Sequence, residues 1–333
     1  MKAAVYSQYG TPDVLQVKEV ATPTPHDNEV LIKVKAATVT RFDCWMRQGT
    51  GPAGFGLISR MASGFNKPKQ PILGTELSGV VEAVGETVTR FKIGDPVFGF
   101  TGARLGAYAE YICLPDDSTL ATLPENLSYE QAAAVPYGSL TALFFLRAAN
   151  IQPNQKVLVF GASGCVGTAA VQIAKNFGAE VTGVCSTSKV DMVESLGADK
   201  VVDYKTEDFS KQGVTYDVIF DTIGKSPFAD SVKALKKGGM YLFATFGLPR
   251  MLQLFWLKLT SNRKVGPLAT VEEHVEDLVF LRDLIEAGEI KPFIDRCFPL
   301  EEIAEAHCYV ESGRKRGNVI IIVNDTNHVE TRT

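Results

Sequence analysis

The run Val159-Phe160-Gly161-Ala162-Ser163-Gly164-Cys165-Val166-Gly167 joins a hydrophobic strand pattern to an amphipathic helix pattern. A turn of this kind can cradle phosphate. Gly161 allows the tight turn, Gly164 lets backbone approach a pyrophosphate, and Gly167 lets the helix pack closely. The start of the helix then offers free N–H groups and the positive end of its dipole. The spacing is GxxGxxG rather than the commoner GxGxxG, and a purely structural turn is the competing reading. The strand–turn–helix context favours a dinucleotide. A carboxylate about 20 residues on would hold a ribose 2′-OH. Here the next strand pattern ends Cys185-Ser186-Thr187-Ser188-Lys189, with no acid before Asp191. Hydroxyls and a lysine suit a 2′-phosphate, which wants donors and positive charge. The expected cofactor is therefore NADPH, with a solvated helix-start lysine as the competing reading of Lys189.

The surrounding elements must hold that turn in place. At about 150 residues per domain, 333 residues imply two domains. The chain has 45% hydrophobic and 22% charged residues, which excludes disorder, collagen and coiled coil as whole-chain descriptions. The net charge of −4 argues against nucleic acid as the main ligand. Residues 30–37, 80–84 and 108–113 read as strands in a β-rich first third. From about residue 125 strands and helices alternate: a helical stretch over 128–148, strands 156–160, 180–185, 200–203, 217–221 and 240–245, and helices 165–177, 189–196 and 226–236. This is the pattern of a parallel sheet covered on both faces.

Two segments stand apart. Residues 49–71 hold five glycines and three prolines and read as a long mobile loop. Because Phe55, Leu57, Ile58, Met61 and Phe65 lie within it, it is expected to form an apolar wall or lid over a substrate. Residues 250–259 read as an amphipathic surface helix exposing Phe255 and Trp256, for which a covered hydrophobic pocket or subunit interface is favoured over peripheral membrane contact. Pro249, Arg250 and Lys258 argue against a transmembrane span. The six cysteines form no CxxC pair, and no signal peptide pattern opens the sequence, so free thiols in the cytoplasm are expected.

The chain resembles the medium-chain dehydrogenase/reductase superfamily, and within it the zinc-independent NADPH:quinone oxidoreductase branch. The resemblance rests on Tyr9-Gly10-Thr11-Pro12, Asp43 with Arg47-Gln48-Gly49, Gly74-Thr75-Glu76-Leu77-Ser78-Gly79, Gly94-Asp95-Pro96-Val97, Ala134-Val135-Pro136, Thr141-Ala142, the glycine turn, and Lys315-Arg316-Gly317-Asn318-Val319. It implies an α/β fold with a GroES-like catalytic domain (1–124 and 270–333) and a Rossmann cofactor domain (125–269). It implies that Lys189 and Tyr204 hold the 2′-phosphate with Ser186 and Thr187. Asp221, Thr222, Ile223, Gly224, Phe246 and Gly247 would line the nicotinamide side with Thr141, and Gly317 and Asn318 would close over the ring. A half-buried strand-end aromatic is the competing reading of Tyr204. The resemblance also implies a homodimer joined through a strand at 264–269.

Zinc-dependent relatives carry Gly-His-Glu where this chain reads Gly74-Thr75-Glu76, and a cysteine near Thr40. His26, His274, His307 and His328 are scattered, Cys44 has no evident partner, and no four-cysteine cluster exists, so no metal is expected. Glu76 is read as structural. Quinones and α,β-unsaturated carbonyls spread the charge left by hydride attack and need less electrophilic help than simple ketones. The candidates against such an acceptor are Thr40, Asp43, Trp45 and Tyr137: Thr40 and Tyr137 to hydrogen-bond a carbonyl, Trp45 to stack, Asp43 to order its loop. Relatives often have Asn at the place of Thr40 and Tyr at that of Trp45. A reductase of an enoyl thioester and a non-catalytic NADPH-binding protein are the alternatives.

Overall fold

Residues 156–160 are all apolar after Lys156, and β-branched or aromatic enough to sit in the middle of a covered sheet. In the computed structural model, which describes residues 1–245, 247–267 and 271–324, they do. The chain opens with a two-stranded sheet of β1 (Lys2–Val5) and β2 (Gln16–Glu19). Then come β3 (Glu29–Thr38), α1 (Arg41–Gln48), α2 (Gly56–Ser63), β4 (Glu76–Val84), β5 (Pro96–Phe100), β6 (Tyr111–Pro115) and β7 (Leu120–Thr122). The helices α3 (Tyr129–Ala133) and α4 (Pro136–Ala148) lead into β8 (Lys156–Phe160), α5 (Cys165–Asn176), β9 (Glu180–Cys185), α6 (Val190–Ser195) and β10 (Lys200–Asp203). There follow β11 (Tyr216–Asp221), α7 (Phe228–Ala234), β12 (Leu235–Phe243), α8 (Leu248–Thr260) and β13 (Lys264–Val265). The last elements are α9 (Val275–Glu286), β14 (Ile294–Pro299), α10 (Ile303–Glu311) and β15 (Asn318–Ile322).

The six strands β10-β9-β8-β11-β12-β13 form one parallel sheet. Its order reverses beside β8, which places a crevice beyond the carboxyl ends of β8 and β11. The second sheet runs β14-β15-β3-β4-β5-β7, with β6 also paired to β3. It is antiparallel apart from β14 and β15, and is stitched from both ends of the sequence. This is the GroES-like plus Rossmann arrangement expected from the sequence.

Three expectations change. The helical stretch at 128–148 is two helices, because Pro136 cannot donate within a helix and instead occupies the first turn of α4. The segment 49–71 is not a continuous loop, since Gly56–Ser63 forms α2. The strand expected at 264–269 is only Lys264–Val265, and residues 268–270 lie outside the described residues.

Candidate functional site

The glycine turn sits between β8 and α5. Gly161 has a φ of +83°, and a Cβ at Gly167 would lie 2.1 Å from the Gly161 carbonyl oxygen. At Gly164 the nearest obstacle to a Cβ is 3.6 Å away, so the open space there belongs to the cleft. No side chain caps the start of α5, which leaves its first N–H groups for a ligand. Ala162 and Val166 are buried beneath the turn.

Two cavities adjoin this turn. The first, about 420 Å³, is lined by Gly161, Ser163 and Gly164 with Ser186, Lys189 and Tyr204. The second, about 380 Å³, is lined by Trp45, Tyr137, Cys165, Val166 and Thr222 with Arg41 and Glu311. Gly164, Ile223, Lys225, Gly313 and Lys315 line both, so the two form one trough. In the first cavity the Lys189 ammonium donates to the Lys315 carbonyl oxygen at 2.9 Å. Burial, and then the Lys315 charge, hold the pKa of Lys189 below the ordinary lysine value. The site therefore gathers cations that lack an acidic partner at the second strand end. Asp295, the carboxylate that acts on Lys189, is paired with Arg316, and Asp203 accepts from the Thr187 hydroxyl and the Lys205 N–H. These donors and the uncapped helix fit the phosphates of NADPH.

The other predicted residues support the trough, and of them Thr222 also lines it. Asp221 is fully buried, and its carboxylate accepts from the N–H groups of Ile223, Gly224, Lys225 and Ser226, which shapes the turn carrying Ile223. The Thr222 hydroxyl donates to the Phe160 carbonyl at 2.9 Å. Gly317 donates its N–H to the Ser163 carbonyl at 2.8 Å, which ties the start of β15 to the phosphate turn, and the Asn318 amide donates to the Phe293 carbonyl at 3.2 Å beside β14. Thr141 is buried on α4, Gly247 packs against Ala53, and Phe246 lies outside the described residues.

The acceptor-side candidates divide in two. Trp45 and Tyr137 line the second cavity. Thr40 and Asp43 stand behind it as a reciprocal cap on α1: the Thr40 hydroxyl donates to Asp43 Oδ2 at 2.6 Å and the Asp43 N–H returns to Thr40 Oγ1 at 3.3 Å. Burial pushes the Asp43 carboxyl up to about 6. Glu76 accepts from the Thr38 hydroxyl and, at 2.6 Å, from the Tyr137 N–H, so it holds the start of α4. Burial raises its pKa to about 8. Burial likewise keeps the Tyr137 hydroxyl protonated far above ordinary pH.

Cys44 does have a neighbour: its Sγ lies 3.6 Å from His307 Nδ1. Burial drives the thiol up to about 12 and the imidazole down to about 3, so both are neutral. Among the described residues, no three His, Cys, Asp or Glu side chains come together as a metal site. The sequence reading missed Arg41, Lys225, Glu311, Gly313 and Lys315. Lys315 had a signal, since it sits two residues before Gly317. Lys225 had one too, directly after Gly224; Arg41, Glu311 and Gly313 had none, because their place depends on how α1 and α10 meet.

The expected lid is not there. No residue of 49–71 lines either cavity, and Leu57, Ile58, Met61 and Phe65 point to solvent.

Two family descriptions match the chain: alcohol dehydrogenase GroES-like domain over residues 26–125 and zinc-binding dehydrogenase over 196–321. The 2-methylene-furan-3-one reductase of Solanum lycopersicum is 33% identical over 96% of this chain and 79% of its own. The chain belongs to the medium-chain dehydrogenase/reductase superfamily, as a quinone oxidoreductase-like member. The NADPH-dependent alkenal/one oxidoreductase of Arabidopsis thaliana matches with the same identity and coverage. Among superfamily structures, the quinone oxidoreductase from Coxiella burnetii superposes with a TM-score of 0.87 at 31% identity, covering 97% of this chain and 99% of that one. The Escherichia coli quinone oxidoreductase complexed with NADPH gives 0.81 at 28% identity, covering 97% and 100%.

Proposed function

We propose that the chain is an NADPH-dependent oxidoreductase that reduces quinones and α,β-unsaturated carbonyls without a protein-bound zinc. The continuous trough from Lys189 to Trp45 carries this reading. Ser186, Lys189 and Tyr204 bind the 2′-phosphate, and the first turn of α5 faces the pyrophosphate. Thr222 and Ile223 flank the nicotinamide. Bound there, NADPH supplies a hydride. Trp45 stacks on the flat acceptor, and the Tyr137 hydroxyl donates a hydrogen bond to its carbonyl oxygen. The Tyr137 hydroxyl would stabilise the negative charge that reduction would leave on that oxygen. The proton comes from water at the open mouth. The donor set supports a zinc-free site: the Thr40 hydroxyl is committed to Asp43, Glu76 to Thr38 and Tyr137, and Cys44 and His307 are neutral and buried.

The catalytic part in this reading comprises 1–124 and 270–333, and the cofactor part 125–269. α9 bridges them, burying Leu278, Leu281 and Ile285 in the core of the cofactor part. The protein works as a homodimer joined at the open edge of β13. Six free cysteines suit the cytoplasm, and no helix among the described residues is long and apolar enough to cross a membrane.

NADPH oxidation should be followed with 1,2-naphthoquinone, a 2-alkenal and a saturated ketone, before and after dialysis against a chelator. Turnover of the two conjugated acceptors alone, unchanged by chelation, is expected. Equal turnover of the ketone, or loss of activity on chelation, overturns the reading.

A further inference from the structure

Twelve large apolar side chains stand exposed among the described residues, and nine of them lie in two segments, 57–65 and 248–259. On α2 these include Leu57, Ile58 and Met61; on α8, Leu252, Phe255 and Trp256, with Trp256 69% exposed. α8 is apolar on two opposite sides. Leu254 and Leu257 are buried against the parallel sheet side, whereas positions 252, 255, 256 and 259 recur at helical spacing on the outer side. The two helices start side by side, because the Leu248 N–H donates to the Ala53 carbonyl at 3.0 Å.

Their charge sets them apart from the rest of the molecule. Residues 44–75 and 231–271 contain eleven Lys and Arg; Arg47, Lys233, Lys236 and Arg250 pair with Glu311, Asp230, Asp217 and Asp221 from outside these segments, and the other seven form no ion pair among the described residues. Lys67, Lys69, Lys258 and Lys264 are exposed. An apolar strip with Trp and Phe, accompanied by the exposed Lys67, Lys69 and Lys258, matches a lipid interface with anionic headgroups and leaves the β13 edge to the second copy.

We propose that the α2–α8 face docks on a bilayer bearing anionic lipid. Leu252, Phe255 and Trp256 enter the boundary between headgroups and acyl chains, together with the outer side of α2. The exposed lysines pair with lipid phosphates around them.

The test is flotation of the full chain with vesicles of phosphatidylcholine alone and of phosphatidylcholine mixed with phosphatidylglycerol. Binding to the anionic vesicles only, weakened by salt, is expected. The emission of Trp256 should shift to the blue on those vesicles, and the shift should vanish in Trp256→Phe. Leu252→Ser combined with Trp256→Ser should lower partition at least about tenfold, and Lys67→Glu with Lys258→Glu should also lower it. Both variants should keep the melting temperature and the turnover of a water-soluble acceptor. If the serine variant is unstable, the charge variant alone decides. No preference for anionic vesicles, or unchanged partition in the charge variant, overturns the proposal. So does a serine variant that lowers the oligomeric mass in light scattering, since a second copy would then cover the face.

Discussion

Lys189 is half-buried and Glu76 fully buried, and burial shifts the two in opposite directions. Lys189 donates to the Lys315 carbonyl, and the carboxylate that acts on it, Asp295, is already paired with Arg316. A 2′-phosphate would supply the missing anion. Lys189→Ala should therefore weaken NADPH by roughly 10–150-fold, or about 1.5–3 kcal/mol, while leaving NADH nearly unchanged. Fluorescence titration with the two cofactors checks this, and equal losses would refute the 2′-phosphate assignment. Glu76 has a folded pKa of about 8 against an ordinary value of 4.5. Between these values the folded protein holds a proton that the unfolded chain has released. Folding stability must then fall as pH rises from about 5 to 8 through this group. Glu76→Gln keeps an acceptor for the Tyr137 N–H and cannot ionise. Its melting temperature should depend less on pH than the wild type's over that window. A slope equal to the wild type's would mean that Glu76 is ionised when folded.

At the scale of elements, legibility followed the locality of the signal. β8, β9 and β10 were read to the residue, because each is a short apolar run bounded by turn residues. The glycine turn was legible for the same reason. α2 was hidden by composition: Gly56, Gly64 and the prolines around them signal a loop, yet Leu57–Ser63 can complete a helix that is held from outside. Tyr9 does this holding, donating its hydroxyl to the Gly64 carbonyl at 2.6 Å while its ring packs under the Arg60 guanidinium. The apolar residues of that segment were taken for a pocket wall because apolar usually means inward. They face outward. On the acceptor side, Trp45 and Tyr137 line the second cavity, whereas Thr40, expected against an acceptor, is used in capping α1. A short sequence carries both signals, and only the folded contacts separate them.

For the whole molecule, the open edge at β13 decides assembly. The Gly266 N–H donates to the Tyr241 carbonyl, so by alternation the Val265 N–H points away from β12. That donor is available to a second copy. Val265→Pro would remove it where proline is tolerated, on the free side of an edge strand. Light scattering at micromolar concentration should give a dimer for the wild type and a smaller mass for Val265→Pro, with NADPH affinity unchanged. A monomeric wild type, or a variant with the same mass, would place the interface elsewhere.

The position of β15 has a consequence for biosynthesis. This strand fills the slot between β14 and β3, and the adjacent Gly317 clasps Ser163 of the phosphate turn. On a ribosome, β3 emerges early and β15 very late. Until residues 318–322 leave the exit tunnel, one sheet lacks an interior strand and the nucleotide cleft lacks one wall. The nascent chain must therefore wait with a ragged, hydrogen-bond-hungry sheet, the kind of intermediate that chaperones hold. A ribosome that stalls before Asn318 would release a polypeptide defective in both halves at once, although almost all of its cofactor-binding residues have already been translated.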